Sequence, residues 1–291
     1  MFLEYLGNYP PLYIGGSIIL GLIVGSFLNV VIYRLPVMME REWKRECRLI
    51  LELADDSEEP PPRFNLAYPN SCCPKCNAPI KPWQNIPVIS YLALGGKCAN
   101  CKAPISVRYP IIEAVTGVLS GVAAWYFGYE PATLMALGFT WALICLTMID
   151  ADHQLLPDQI TLPLLWAGLL VNSFAMFVPL ADAVWGAIGG YLSLWCVYWG
   201  FKLLTGKEGM GYGDFKLLAA LGAWMGWQSL LVIILLSSLV GAVVGSIILA
   251  LSKQGRGTPI PFGPYLAAAG WIALIWGDQI VDGYLHFSGI R

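Results

Sequence analysis

The stretch GYGDFKLLAALGAWMGW at residues 211–227 carries an acidic residue, Asp214, and continues as an apolar segment. A second acid, Asp150, closes another apolar segment at about 132–150. An ionisable side chain inside a membrane-spanning segment costs roughly 2.5–3.5 kcal/mol on insertion scales, so such a residue marks a functional site by default. Because each acid lies where an apolar segment begins or ends, we predict that Asp150 and Asp214 share one membrane depth and form a catalytic pair.

The composition of the 291 residues is that of a chain embedded in lipid. Hydrophobic residues make up 57% of the chain and charged residues 12%, and 12 tryptophans are present. We therefore predict an all-α polytopic membrane protein. The net charge of -2 and the lack of a basic tail argue against nucleic acid as a partner. Membrane lipid, and molecules within or beside the bilayer, are the partners that the composition favours.

Apolar runs long enough to cross a hydrocarbon core of about 30 Å recur along the chain. Seven runs are clear, and an eighth at 214–227 is short and rich in small residues. The break at Gly226-Trp227-Gln228 predicts that this run and the next form a hairpin of two spans. We predict about eight transmembrane helices, at approximately 12–33, 111–128, 132–150, 159–178, 183–204, 214–227, 228–251 and 262–280.

The predicted spans divide the chain into three parts. Residues 1–33 hold the N-terminal segment and the first span, residues 34–110 form a loop, and residues 111–291 form a membrane domain with both acids. The first apolar run lacks the cleavage site of a signal peptide, so we predict that it is retained. With the N-terminus outside, sixteen of the 17 basic residues face the cytoplasm, as the positive-inside rule favours. This topology places the loop and both acids at the cytoplasmic face.

Residues 40–56 of this loop carry apolar side chains at helical spacing, opposite a charged face. The pattern predicts either an amphipathic helix that lies on the membrane or a solvated charged helix. The three prolines at 60–62 would end this helix.

Two CxxC motifs follow, Cys73-Pro74-Lys75-Cys76 and Cys98-Ala99-Asn100-Cys101. Paired motifs of this kind supply four thiolates in the tetrahedral arrangement of zinc, so we predict a structural Zn²⁺ in a zinc-ribbon-like loop. Two disulfides or a dithiol redox motif are the alternatives, but cytosolic thiols stay reduced and no βαβ pattern surrounds these motifs. The neighbouring Cys72 is a spare thiol with a less usual spacing. The predicted metal ligands are Cys73, Cys76, Cys98 and Cys101.

A zinc ion held by four thiolates has no open position for water, so it would organise the loop and leave the chemistry to other residues. The two histidines, His153 and His286, are predicted on opposite sides of the membrane. Neither a histidine-based zinc hydrolase nor a Ser-His-Asp triad is readily built from them. This elimination favours the two aspartates as the catalytic groups.

The Gly-x-Gly-Asp element at 211–214, with Asp150 and Leu156-Pro157-Asp158, resembles the type IV prepilin peptidase family, membrane aspartyl proteases of the GxGD type. The resemblance extends to GSFLNVVIYRLP at 25–36, to both CxxC motifs and to Pro261-Phe262-Gly263-Pro264. Together these motifs cover nearly the whole chain.

The resemblance implies a bifunctional enzyme of the bacterial inner membrane. Such an enzyme cuts the basic leader from type IV prepilins and pseudopilins after a glycine. It then methylates the new N-terminal amine, usually of phenylalanine, with S-adenosylmethionine, and the products serve type IV pilus and type II secretion assembly. By position, Asp150 and Asp214 match the family's catalytic pair, and Asp158 matches a nearby motif acid.

Elementary chemistry gives the two acids distinct roles. Two aspartates in one site repel each other, so one would keep its proton while the other ionises, and the pair could activate water and polarise the scissile carbonyl. Gly211 and Gly213 would let an extended substrate backbone approach Asp214. Lys216 could anchor the helix start or contact the site, and Asp158 could cap the helix that follows it.

The substrate class agrees with the predicted depth of the acids. A basic leader followed by an apolar helix would place its cleavage point at the membrane face. The acidic run at 55–59 could attract that leader or form a solvated segment. The sequence contains no glycine-rich fingerprint of a soluble cofactor domain, and the methyl-donor pocket is therefore not located by it. The loop, including the Gly95-Gly96 turn, is our hypothesis for that pocket.

Two other classes of protein could use the same features. A proton-coupled transporter could carry intramembrane acids, but these acids lie near one face and no inverted repeat is evident. A non-catalytic assembly factor with a zinc site would bind pilin and tolerate the loss of either aspartate.

Overall fold

A computed structural model describes residues 9–52, 63–251 and 260–288. Within these ranges the chain is helical, and its β-type pairing is limited to two isolated bridges, Cys72 with Pro79 and Lys97 with Pro104. The predicted all-α class is therefore confirmed. The helices are α1 (Pro10–Ile50), α2 (Ile89–Ala93), α3 (Arg108–Phe127), α4 (Pro131–His153), α5 (Asp158–Asn172), α6 (Leu180–Thr205), α7 (Tyr212–Met225), α8 (Gln228–Leu251) and α9 (Gly263–Phe287), with a 3-10 turn at Pro82–Asn85.

Each of the eight predicted spans coincides with a helix. Among the described residues, five helices are long and apolar enough to cross a membrane, namely α1, α3, α4, α6 and α8. Helices α5 and α7, with 15 and 14 residues, are shorter than the roughly twenty residues that a span needs. The count of eight spans stays a prediction.

The chain divides into two compact units, residues 1–129 and 130–291. In the first unit, α1 and α3 pack through small residues. A Cβ atom on Gly25 would lie 2.8 Å from the Glu113 Cα, and one on Gly117 would lie 2.9 Å from the Leu22 Cγ. Small residues at a helix crossing let the two backbones approach closely, as is common between membrane helices. The predicted division at 33 and 110 stays a prediction.

The predicted helix at 40–56 begins as a continuation of α1. Helix α1 runs without interruption from the first span to Ile50, with Pro36 inside it. A proline inside a helix removes one backbone hydrogen bond, and the 41-residue helix continues beyond that point. The end of the predicted helix, the acidic run at 55–59 and the prolines at 60–62 lie outside the described residues.

In the second unit, α7 is the central helix. It contacts α5, α6, α8 and α9, and apart from Lys216 every residue from Asp214 to Gly226 is buried. A helix that is apolar on all sides is stable where neighbouring helices surround it. The surrounding helices explain why a segment too short for an ordinary span carries so apolar a sequence.

Asn172, at the end of α5, fixes the C-terminal end of α7. Its side-chain amide donates hydrogen bonds to the carbonyls of Ala223 (2.9 Å) and Trp224 (3.0 Å). Its side-chain oxygen accepts from the backbone N–H groups of Phe177 and Val178. The last carbonyls of a helix have no partner within it, so a buried asparagine with all four hydrogen bonds satisfied holds that end in place.

The crossing of α6 over α7 depends on glycine. We expect Gly186→Ala to lower the free energy of unfolding by about 1–3 kcal/mol, because the new Cβ would overlap the Gly222 carbonyl. The matched control is Gly200→Ala on the same helix, where nothing lies within 4 Å of the added atom. Thermal unfolding of the purified proteins checks this prediction, and equal midpoints for the two variants would contradict it.

Candidate functional site

Asp150 lies in the last turn of α4 with its side chain buried. The backbone N–H of Gly263, the first residue of α9, donates to the Asp150 Oδ2 at 2.9 Å. The backbone of Asp150 is fixed as well, because Gln154, in the left-handed conformation after α4, donates its N–H to the Asp150 carbonyl. The N–H groups at the start of a helix carry partial positive charge, so the N-terminal end of α9 attracts this carboxylate.

Asp214 lies in the first turn of α7 and is also buried, with 7% of its surface exposed. Its N–H donates to the Gly211 carbonyl at 3.3 Å. The carboxylates of Asp150 and Asp214 are close enough to interact electrostatically. The structure therefore brings together two acids that are far apart in the sequence, each at a helix end.

Leu156 packs against the glycine that precedes Asp214 and against Gly263, which binds Asp150. A Cβ atom on Gly213 would lie 2.8 Å from the Leu156 Cβ, and one on Gly263 would lie 3.2 Å from its Cδ2. A Cβ atom on Gly263 would also lie 2.6 Å from the Asp150 Oδ2. Contacts under 3.0 Å force a shift, so both glycines are required by packing. Gly263 contacts the site, but no pattern in the sequence predicted a role for it, although the motif at 261–264 contains it.

This packing gives a prediction for Gly263→Ala. We expect the leader cleavage that the family resemblance implies to fall by about tenfold to a hundredfold, because the added methyl group displaces the Asp150 carboxylate, and small misplacements of reacting groups are costly. Gly138→Ala is the matched control, because nothing lies within 4 Å of a Cβ atom added to this residue of α4. Rates of cleavage for the two variants test the prediction. Equal losses would show that displacement of the carboxylate is not the cause.

Asp158 and Lys216 bind each other. The Lys216 Nζ lies 2.7 Å from both carboxylate oxygens of Asp158. The ion pair joins the first residue of α5 to the fifth residue of α7 and is partly exposed, so it contributes little to stability by itself. Asp158 makes no side-chain hydrogen bond to the start of α5, where Pro157 occupies the capping position. Lys216 therefore has an ion-pair partner near the acids. Asp158 links two helices and does not cap one.

The four predicted metal ligands form a cluster in the first unit. The Sγ atoms of Cys73, Cys76, Cys98 and Cys101 all lie within 4.8 Å of one another. Tetrahedral zinc with Zn–S bonds of about 2.3 Å separates its sulfur atoms by about 3.8 Å, and the Cys73 and Cys101 Sγ atoms are 3.8 Å apart. Cys72 is exposed and outside the cluster. The geometry and the donor set fit a tetrahedral thiophilic metal.

The two turns that carry the clustered cysteines have the same structure. The sequences CPKCNAPI at 73–80 and CANCKAPI at 98–105 share their cysteine, alanine, proline and isoleucine positions. In each, the first cysteine donates its N–H to the carbonyl of the alanine five residues later, at 2.9 and 2.8 Å. In each, the residue after the second cysteine, Asn77 or Lys102, has a positive φ. The repeat of the whole octapeptide was a signal that our sequence analysis missed.

Hydrogen bonds favour the thiolate form of Cys76. The backbone N–H of Ala78 and the side-chain amide of Asn100 lower the pKa of the Cys76 thiol to about 6. The Asn100 Nδ2 lies 3.6 Å from the Cys76 Sγ. Metal ligation needs deprotonated cysteine, so these donors prepare the site for a cation.

Arg34 ties the start of the loop to α1. It is buried, and its guanidinium donates to the carbonyls of Asn65 (2.9 Å), Leu66 (3.3 Å) and Pro69 (2.6 Å). A guanidinium has five donors in a fixed plane, which suits the capture of several carbonyls. The sequence marked Arg34 only as part of a motif, and its role in holding the segment before Cys73 required the structure.

Comparisons with known proteins cover both units. The Bacterial Peptidase A24 N-terminal domain matches residues 19–127, and the Type IV leader peptidase family matches residues 137–246. The chain is 59% identical to a prepilin leader peptidase/N-methyltransferase of Pseudomonas aeruginosa, over 99% of both chains. Proteins with the same name from Stutzerimonas stutzeri and Neisseria gonorrhoeae are 58% and 53% identical, over 98% and 94% of both chains. No solved structure matches the chain.

Proposed function

Because the chain belongs to the type IV leader peptidase family, we propose that it cleaves prepilins with Asp150 and Asp214 as its catalytic aspartates. It is a bifunctional enzyme, which removes the leader peptide of prepilins and methylates the new N-terminal amine. The observation that supports the catalytic assignment is the meeting of two buried carboxylates at the ends of α4 and α7. Burying two acids that interact costs free energy, and such pairs are found mainly at functional sites.

The hydrogen bond from Gly263 separates the roles of the two acids. The proton of such a dyad belongs to the pair, and a backbone N–H stabilises the ionised form of the carboxylate that accepts it. We therefore assign water activation to Asp150, and to Asp214 the donation of a proton to the oxygen of the scissile carbonyl. Water attacks the carbonyl carbon, the C–N bond of the tetrahedral intermediate breaks, and the leaving amine takes up a proton from the dyad.

The substrates and the location follow from the same site. We propose that the apolar helix of a prepilin or pseudopilin lies in the bilayer beside the second unit, with its basic leader in the cytoplasm. The positive-inside distribution of the basic residues supports an active site on the cytoplasmic face of the bacterial inner membrane. The processed proteins would then serve type IV pilus and type II secretion assembly.

We propose zinc as the metal of the four-cysteine cluster. Four thiolates close the coordination of zinc, so the ion would stabilise the loop and take no part in hydrolysis. The methyl donor implied by the methyltransferase name is S-adenosylmethionine, which supplies the methyl group when bound. The Gly95-Gly96 turn, with positive φ at both residues, stays our hypothesis for part of the donor site.

The experiment uses the purified chain in lipid nanodiscs with a full-length prepilin and S-adenosylmethionine. We expect mass spectrometry to show release of the leader and addition of one methyl group to the new N-terminus. Omission of the donor should stop methylation and leave cleavage intact. The transporter and assembly-factor alternatives predict an intact leader, so an uncleaved prepilin with a folded enzyme would overturn the proposal.

A further inference from the structure

The segment that carries the metal cluster has an unbalanced charge. Residues 63–108 contain six basic residues and no aspartate or glutamate. A surface of one sign attracts partners of the opposite sign, and basic residues beside a membrane-spanning helix attract anionic lipid. The basic residues are Arg63, Lys75, Lys81, Lys97, Lys102 and Arg108.

The same segment presents an apolar strip at its surface. Every third residue from position 83 to position 92 is a large apolar side chain with 46% to 71% of its surface exposed. Trp83 lies in the 3-10 turn and Ile86 directly follows that turn. A spacing of three places Ile89 and Leu92 on one side of α2. The apolar strip consists of Trp83, Ile86, Ile89 and Leu92.

Hydrogen bonds fix the strip from its inner side. The buried Ser90 hydroxyl donates to the Trp83 carbonyl at 2.7 Å and accepts from the Ile86 N–H at 3.0 Å. The N–H of Val88 donates to the Glu113 carboxylate of α3 at 2.8 Å. Val88 has a φ of 60°, which is costly for a β-branched residue, so the Glu113 contact holds a conformation that the chain would otherwise leave.

The attachment to Glu113 sets the depth of the strip. Glu113 follows the start of α3 at Arg108 by five residues, which is about 7–8 Å along a helix that rises 1.5 Å per residue. Helix α3 is one of the helices long and apolar enough to span a membrane. Elements that lie in a membrane interface insert their apolar face by about 5–10 Å. For an α3 that enters the bilayer at its first residues, this distance matches the depth where the headgroups meet the acyl chains.

We propose that residues 63–108 form a membrane-seated module: the apolar strip inserts into the leaflet at which α3 begins, and the basic side chains bind the headgroups of anionic phospholipids. Lys81 illustrates the arrangement, because its Nζ lies 5.2 Å from the centre of the Trp83 ring, so a cation and an apolar ring lie side by side. The metal cluster is then held at the membrane surface. The inference depends on α3 spanning the bilayer and does not depend on the catalytic dyad.

Photo-crosslinking tests the insertion of the strip. A benzoylphenylalanine residue at position 92 or 89 of the full chain, in nanodiscs of zwitterionic lipid with about one-third anionic lipid, should form adducts with acyl chains. Position 70, an exposed asparagine outside both the strip and the set of basic residues, is the control and should give few such adducts. Crosslinks to added prepilin in place of lipid would overturn the proposal in favour of a substrate-docking face. Strip probes with no more lipid adducts than position 70 would also overturn it.

The headgroup contacts have a separate test. Native mass spectrometry should find several-fold more anionic lipid retained by the wild type than by a variant with Lys75, Lys81 and Lys102 changed to Gln. The matched variant with the same three residues changed to Arg should retain anionic lipid like the wild type, because it keeps the charges. An unchanged metal content shows that each variant is folded. Equal lipid retention in the Gln variant and the wild type would refute the headgroup contacts.

Discussion

Replacement of Asp150 or Asp214 by asparagine should lower leader cleavage by about a thousandfold or more, because each variant removes a group that must gain or lose a proton. Asparagine keeps the size of the side chain and can still accept the hydrogen bond that Gly263 donates to residue 150. The loss should therefore be in the rate of cleavage and not in the amount of folded protein. Mass spectrometry of prepilin incubated with each purified variant measures it.

Two controls make this result specific to the dyad. Asp152→Asn changes an exposed acid at the end of the same helix and should cleave prepilin at a rate close to that of the wild type. Methylation of a substrate that has already been cleaved should persist in both dyad variants, since methyl transfer does not require the leader bond to be broken again. Normal cleavage of prepilin by either dyad variant would rule out the two-aspartate mechanism.

The second large effect concerns the metal cluster. Cys98→Ser should reduce the bound zinc from about one ion per chain to nearly none, because three thiolates and a hydroxyl hold zinc far less tightly than four thiolates. Structural zinc sites contribute about 10–16 kcal/mol of apparent binding free energy, so the loop should also become sensitive to proteases. Elemental analysis and limited proteolysis measure the two effects.

Cys72→Ser is the matched control for the metal site. Cys72 adjoins the ligand Cys73 in the sequence but is exposed and lies outside the cluster. This variant should keep its zinc and its resistance to proteases. A wild-type protein that is purified with no thiophilic metal and gains no protection from added zinc would contradict the assignment of a structural zinc site.

The elements of the fold were predictable because their signals are local. Apolar runs gave the positions of the helices, and the CxxC spacing gave the four cysteines that cluster. The choice of Asp150 and Asp214 also rested on a local signal, an acid at the end of an apolar run. The structure places these two acids close enough to interact electrostatically, although they come from different helices.

Other parts of the site depend on contacts that no local pattern contains. The bond from Gly263 to Asp150 joins residues 113 positions apart, and the ion pair of Lys216 with Asp158 joins residues 58 positions apart. The central position of α7 was also not predictable, because a short apolar run has the same sequence pattern whether lipid or other helices surround it. Only the packing of α5, α6 and α9 around α7 distinguishes the two cases.

The sequence by itself determined that this is a helical membrane protein with two acids at the ends of apolar segments and four paired cysteines. These properties follow from hydropathy and from spacing within a few turns of chain. The tertiary structure decided which donor reaches Asp150, which cation binds Asp158 and where glycine is required. Such contacts depend on how helix faces meet, and the free energy of that packing is shared among residues that are distant in the sequence.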